Sequence, residues 1–179
     1  CLLRSNDSGA CWGWNVYGQL GDGKNASTAT VSAVKSASKW LQIAADAYHT
    51  CAVDKLGKVH CWGRGSEGQL GDGKKKNTWQ PVVVPVSGHA IAVGAGTYHS
   101  CAVDQQGRVW CWGRNNYGQL GTGGTSGDKT KATIPVVGSD PVVVMAGACK
   151  TAVDCPDDGQ SCTVPKCDSK SGKCSVVSV

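Results

Sequence analysis

An all-β fold, built from three propeller-type blades of about 50 residues and followed by a small cysteine-rich tail, is what this sequence predicts. Three observations carry it. The stretch from Cys101 through Cys111 and Trp112 to Gly118-Gln119-Leu120-Gly121 recurs at 50-residue offsets, from Cys51 through Cys61 and Trp62 to Gly71, and from Cys1 through Cys11 and Trp12 to Gly21. Each unit offers about four short apolar runs punctuated by glycine turns. No helical periodicity is present.

The core of each unit reads as a hairpin. Val53 and Val59 flank Asp54-Lys55-Leu56-Gly57-Lys58, in which Asp54 faces Lys58 across a three-residue loop whose bulge-closing position asks for a left-handed residue. Gly57 and Gly107 fill that position, and Asp7 fills it in the first copy. The register sets Val53 opposite Val59 and Cys51 opposite Cys61, as a non-hydrogen-bonded pair with Cα atoms about 4.5 Å apart. That separation suits a disulfide. The expected bridges are Cys1–Cys11, Cys51–Cys61 and Cys101–Cys111. His49-Thr50-Cys51 and His60-Cys61 also have the look of metal ligands. His60 becomes Trp110 and Ala10 in the other copies while the cysteines persist, so the disulfide reading is preferred and no metal site is expected.

Around the hairpins lie the other strands. Residues 24–38 are polar and small, and Trp40-Leu-Gln-Ile-Ala-Ala45 reads as a short buried strand leading into Tyr48-His49-Thr50. Its counterpart is Ile91-Ala-Val-Gly-Ala95, leading into Tyr98-His99-Ser100. Gln80-Pro-Val-Val-Val-Pro85 and Ile134-Pro-Val-Val137 supply a fourth strand. The expected divisions are residues 1–148 for the three repeats (about 1–50, 51–100 and 101–148) and 149–179 for the tail. Val142, Val143, Val144 and Met145 match the lead-in strand that the first unit lacks, and so are a candidate assembly strand.

The tail carries Cys149, Cys155, Cys162, Cys167 and Cys174, an odd number that leaves one free or bonded to another chain. Asp154, Asp157, Asp158 and Gly159 resemble part of a calcium loop, but Pro156 and Pro165 stand at ligand positions and a plain turn is preferred. Eleven cysteines, a single Met and no Phe point to an oxidising compartment, extracellular or at the cell surface. The numbering is expected to begin after processing. A net charge of +5 and one basic run, Lys74-Lys75-Lys76, are too little for a nucleic-acid surface. No apolar run is long enough to span a membrane.

The segments HTCAVDKLGKVHCWGRGSEGQLGDG and HSCAVDQQGRVWCWGRNNYGQLGTG resemble the regulator of chromosome condensation repeat, whose hallmark is Trp-Gly-x-Asn-x-x-Gly-Gln-Leu-Gly. The resemblance covers residues 1–150 and departs at Gly65, where Asn15 and Asn115 stand in the other copies. It implies four-stranded blades around an axis. Closed propellers of this family have seven blades, against the three units here, so an open arc or part of an assembled propeller or solenoid is expected. The added cysteine pairs resemble the secreted bacterial branch.

No catalytic constellation breaks the repeat. His49 and His99 recur and are expected to hydrogen-bond within their blades; Trp12, Trp62 and Trp112 recur and are expected in the core. The aromatics Trp14, Trp40, Trp79 and Trp110 do not recur, and Trp14 and Trp79, in loop or turn regions, are the candidate binding aromatics. No catalytic residue and no cofactor is expected. The leading functional expectation is a non-enzymatic extracellular structural protein, self-assembling head-to-tail into a filament or ring through open blade edges. The alternative is a secreted binding module for a protein or glycan. A nucleotide-exchange factor or chromatin binder is the weakest of the readings.

Each predicted bridge closes a short loop and should contribute about 2–3 kcal/mol. Non-reducing peptide mapping should recover the three hairpin peptides as cross-linked pairs. Free thiols at Cys51, Cys61, Cys101 and Cys111 would overturn both the register and the compartment.

Overall fold

The computed structural model describes residues 1–125 and 127–133, together with two strands of the tail, Val164–Cys167 and Cys174–Val177. The chain divides into a first unit, Cys1–Ala146, and a second, Gly147–Val179. Among the described residues there is no helix, and so none long and apolar enough to cross a membrane.

The first unit is a series of antiparallel meanders. Strands β1 (Leu2–Leu3), β2 (Gly9–Gly13) and β3 (Thr28–Ala33) form a three-stranded sheet. Strands β4 (Trp40–Ala45), β5 (His49–Asp54), β6 (Val59–Gly63) and β7 (Thr78–Val84) form a four-stranded sheet in sequence order. Strands β8 (Ala90–Ala95), β9 (His99–Asp104), β10 (Val109–Gly113) and β11 (Lys129–Thr133) repeat it. The sheets group strands in a different frame from the sequence repeat, because each lead-in strand pairs with the hairpin that follows it, Ile43 opposite Ala52 and Val93 opposite Ala102. In the second unit, β12 (Val164–Cys167) and β13 (Cys174–Val177) pair with Cys167 opposite Cys174. The candidate assembly strand Val142–Met145 and the cysteines Cys149, Cys155 and Cys162 lie outside the described residues.

Loop chemistry fixes the hairpins. In β5–β6, Cys51 faces Cys61 and Val53 faces Val59. Asp54 N–H donates to the Lys58 carbonyl at 2.9 Å, and Gly57 sits at φ 73°. Asp7 holds the same place at φ 63°. The Asp54 carboxylate accepts the backbone N–H groups of Leu56 and Lys58, both at 2.9 Å, and so closes the loop from inside. Burial pushes this carboxyl up, but those bonds and the one from His60 outweigh it and hold the group below its usual range. Asp104 does the same for Gln106 and Arg108. Three cystines cross the hairpins, Cys1–Cys11, Cys51–Cys61 and Cys101–Cys111, with Cα separations of 4.0, 4.1 and 4.1 Å.

The core lies between sheets. One cluster joins Cys11, Leu20 and Val34 of the first to Trp40, Ala52 and Trp62 of the second. Another joins Val53, Leu70 and Val84 of the second to Val93, Ala102 and Trp112 of the third. The recurrent tryptophans therefore serve the preceding blade. Trp62 and Trp112 are fully buried, whereas Trp12 is 45% exposed, contrary to the expectation that all three are core: no described blade lies before β2 to cover it.

The Gly-Gln-Leu-Gly turn is pinned by Asn15, which is buried, accepts the Leu20 N–H at 2.9 Å and donates to the Ala26 carbonyl at 3.1 Å. Asn115 repeats this with Leu120 and Gly124. In the second blade a Cβ on Gly65 would stand 2.1 Å from the Lys76 carbonyl. The loop backbone occupies the space of the missing Asn side chain, and Asn77 accepts the Gly65 N–H instead, at 3.0 Å.

Turn packing makes equivalent glycines unequal. Gly68 and Gly118 both have positive φ, but a Cβ on Gly68 would meet the Thr130 Cα at 3.0 Å while one on Gly118 meets nothing closer than 3.8 Å. Gly118→Ala should cost about 1–2 kcal/mol, from the left-handed backbone alone. Gly68→Ala should cost about 2–4 kcal/mol, because backbone of the next blade must shift as well. Thermal melts compare them, and equal losses would mean that β11 does not rest on the turn.

Candidate functional site

The β4–β5 turn, the β8–β9 turn and the segments that follow β2, β6 and β10 all emerge at one end of the sheets, because the strands alternate in direction. This rim gathers aromatic and guanidinium side chains from all three blades. Trp14 and Tyr17 follow β2, Tyr48 and Tyr98 lie in the two turns, and Arg64 and Arg114 follow β6 and β10.

Their geometry is a continuous row. Trp14 meets Tyr17 edge-on at 5.4 Å and Tyr48 at 5.9 Å between ring centroids. Tyr48 stacks on Tyr98 at 5.4 Å with an interplanar angle of 18°. The Arg64 guanidinium lies 5.5, 5.3 and 5.1 Å from the rings of Tyr17, Tyr48 and Tyr98, and Arg114 lies 5.2 Å from Tyr98. Guanidinium groups over ring faces are attracted to the negative face of the π system. Arg64 is further held by Ser66 Oγ at 2.7 Å and Glu67 Oε1 at 3.3 Å. The neighbouring Tyr98 phenol raises the Tyr48 phenol above its ordinary value. The result is a pre-ordered surface of rings and charges with Trp14 exposed at one end.

Beneath the rim the blades are tied by polar contacts. The Gln19 carbonyl accepts both the Thr50 hydroxyl at 2.8 Å and the Trp62 indole N–H at 3.0 Å. The Gln69 carbonyl accepts the Ser100 hydroxyl at 3.0 Å and the Trp112 indole N–H at 2.8 Å. His49 Nε2 lies 2.7 Å from Ser100 Oγ. Its bond crosses to the next blade, not within its own as expected, because Ser100 sits at the inter-sheet face. Ser100 has one proton and gives it to Gln69, so His49 carries its proton on Nε2 and presents a bare Nδ1, a buried atom with no partner. Burial lowers the His49 pKa from 6.5 to about 4.

The two candidate aromatics separate. Trp14 joins the rim, while Trp79 lies on β7 and covers the Gly18 turn of the preceding blade. Trp79 borders a shallow groove with Lys75, Lys76, Gln80 and Pro81. Trp40 is buried against His60 and Trp62, and Trp110 donates to Asp104 Oδ2 at 3.1 Å, the place that His60 takes on Asp54. Among the described residues no group of three or more His, Cys, Asp or Glu side chains could hold a metal ion. Tyr17, Arg64 and Arg114 were not singled out by sequence. The signal was available in Tyr48 and Tyr98, each followed 16 residues later by an arginine.

Comparison with known proteins gives a consistent picture. A profile of the regulator of chromosome condensation repeat matches residues 11–53, 57–103 and 106–153, and a second profile of the same repeat matches 40–69 and 90–119. Among solved structures, human WBSCR16 is similar at 20% identity and a TM-score of 0.67, over 74% of this chain and 34% of that one. Prp20p of Saccharomyces cerevisiae, in a structure described with its binding to Gsp1p and histones, is similar at 22% identity and a TM-score of 0.66, over 74% and 35%. Yeast Prp20 bound by Kap60 matches equally, at 22% identity and 0.66, over 74% and 34%. The chain thus spans about a third of the length of the solved structures it matches. No curated protein sequence matches it.

The buried histidine makes the joint pH-dependent. The folded pKa of about 4 lies below the unfolded 6.5, so the unfolded chain takes up the proton first. The stability from neutral His49 is complete above the unfolded value and drains away as pH falls toward the folded one, by about 3 kcal/mol in all. The depressed carboxyls of Asp54 and Asp104 add their loss only at lower pH. Melting temperature followed from pH 7 to 4 should fall steeply, and His49→Gln should flatten the slope. An unchanged slope in that variant would place the titration elsewhere.

Proposed function

The chain belongs to the regulator of chromosome condensation repeat family, and on that premise we propose that it is a non-enzymatic binding module, working outside the cell through protein–protein contact. The observation that carries this reading is the rim. Trp, Tyr and Arg are the residues that dominate binding energy at protein interfaces, and here they stand in one row across three blades, already ordered by stacking and cation–π contacts. Ordering before contact lowers the entropy lost on binding. Protein partners are also what the descriptions of the similar yeast structures name for those proteins: Gsp1p, histones and Kap60. A glycan would use the same rings, but the paired guanidinium groups favour a protein surface with carboxylates. The three cystines fit an oxidising compartment.

A second reading, head-to-tail association of the chain with its own copies, draws on a different observation: the exposed Trp12, whose counterparts in later blades are buried against the preceding blade. Sedimentation of the 179-residue chain over a concentration series tests it. A single monomeric species throughout would overturn it.

The rim reading has its own test. With a protein partner recovered by the chain from an extracellular fraction, Trp14→Ala combined with Arg114→Ala should weaken binding at least about tenfold. Trp79→Ala should leave it within about twofold. The reverse pattern would move the binding surface to β7.

A further inference from the structure

Lysine outweighs carboxylate on the outer strands. Segments 22–35, 72–83 and 127–131 hold strand β3, most of β7, the start of β11 and the turns that lead to them. They contain seven lysines against three aspartates, with no arginine and no glutamate, so these segments are a basic face. The aspartates are turned to other work. Asp22 and Asp72 accept the backbone N–H groups of Lys24 and Lys74, both at 3.0 Å. Asp22 also accepts the Ser32 hydroxyl at 2.9 Å, and Asp128 pairs with Lys75 at 2.8 Å.

Trp79 stands on the middle strand of this face, 46% exposed, in a shallow groove of about 830 Å³ lined by residues 75–82. The seam between blades does not require its ring. The Trp79 carbonyl accepts the Gly23 N–H at 2.9 Å, and a Cβ on Gly18 would stand 2.7 Å from the Trp79 Cα. At the next seam Thr130 makes the same closure: its carbonyl accepts the Gly73 N–H at 2.8 Å, and a Cβ on Gly68 would stand 3.0 Å from its Cα. A threonine suffices there, so the indole is more than the packing asks for. Two polar side chains converge beside Trp79. A Cβ on Gly23 would stand 3.2 Å from Lys35 Cδ and 3.3 Å from Gln80 Nε2. Lys35 is exposed, and Lys76 lines the groove.

We propose that this groove binds an acidic polysaccharide, a polymer of uronic acid, with a sugar ring resting on Trp79, carboxylates meeting Lys35 and Lys76, and a hydroxyl held by Gln80. An indole offers a large flat apolar face to the C–H groups of a sugar ring. A shallow groove suits a polymer that runs across it, where an enclosed cavity would suit a small molecule. Lysine is a mobile point charge, fitted to carboxylates spaced along a chain. A nucleic-acid strand would call for guanidinium forks and for successive rings to stack its bases, whereas this face has one ring and no arginine. The site is separate from the rim and depends on neither functional reading above.

The test uses the 179-residue chain with polygalacturonate as the probe, and neutral dextran and oligothymidylate as comparisons. Titration calorimetry should show binding to polygalacturonate that weakens with added salt, with no binding to dextran and at least about tenfold weaker binding to oligothymidylate. Trp79→Thr, which places at this seam the residue used at the next one, should weaken polygalacturonate binding at least about tenfold. Lys35→Gln combined with Lys76→Gln should weaken it at least about fivefold and flatten the salt dependence. Thermal melts check that both forms fold, and the exposed lysines carry the test should Trp79→Thr fold poorly. Trp14→Ala combined with Arg114→Ala should stay within about twofold of wild type, which separates this site from the rim. Absence of binding to polygalacturonate would overturn the proposal. So would variants of the groove that bind as wild type does. Equal affinity for oligothymidylate would show a surface for polyanions of any kind and overturn the assignment to polysaccharide.

Discussion

Each joint between the described blades depends on one backbone carbonyl. The carbonyl of Gln19 or Gln69 has two lone pairs, and each is used: one by a hydroxyl on the next blade's second strand, the other by the indole on its third. A buried carbonyl without a partner would cost free energy, and a buried indole N–H likewise. The two needs are met by one contact, and that contact sets the spacing between sheets. The turn must then be rigid, which is why a buried Asn or its backbone substitute holds it from within. Glycine is required beneath the indole because no side chain fits there.

Much of this was legible in the sequence, and the parts that were have a common cause. The hairpin register followed from a three-residue loop with a left-handed residue at a fixed place, a local rule that needs no knowledge of the rest of the chain. Cysteines at matching positions then had to face each other. The lead-in strands were readable from their apolar runs. What could not be read was contact between blades. Trp12 has the same neighbours in sequence as Trp62, yet one is exposed and the other buried, because burial is decided by whichever blade comes before. His49 looked like an intra-blade residue for the same reason. The rim was hidden because its members come from different units, Trp14 and Tyr17 from one and Arg114 from another, and only the stacking of sheets brings them into a row.

Repeats also tolerate exchange where a geometric role survives it. His60 and Trp110 differ in size and in basicity, yet each sets a ring nitrogen on the carboxylate that closes the hairpin loop. Gly65 shows the opposite solution: the side chain is gone and the loop backbone has moved into its place. Both cases separate what the fold needs, a donor or a filled volume, from the residue that happens to supply it.

The cystines have a mechanical consequence. Each links residues only ten apart, within one hairpin, and none of the three joins one blade to another. Under tension the covalent bonds do not resist separation of the blades, which is left to the indole–carbonyl joints and the apolar faces around them. They limit instead how far each blade can pay out once it yields, since the bridged loop, about 35 Å of chain when extended, stays closed. A pulled chain would therefore lengthen in short steps, blade by blade, and reducing conditions would lengthen each step.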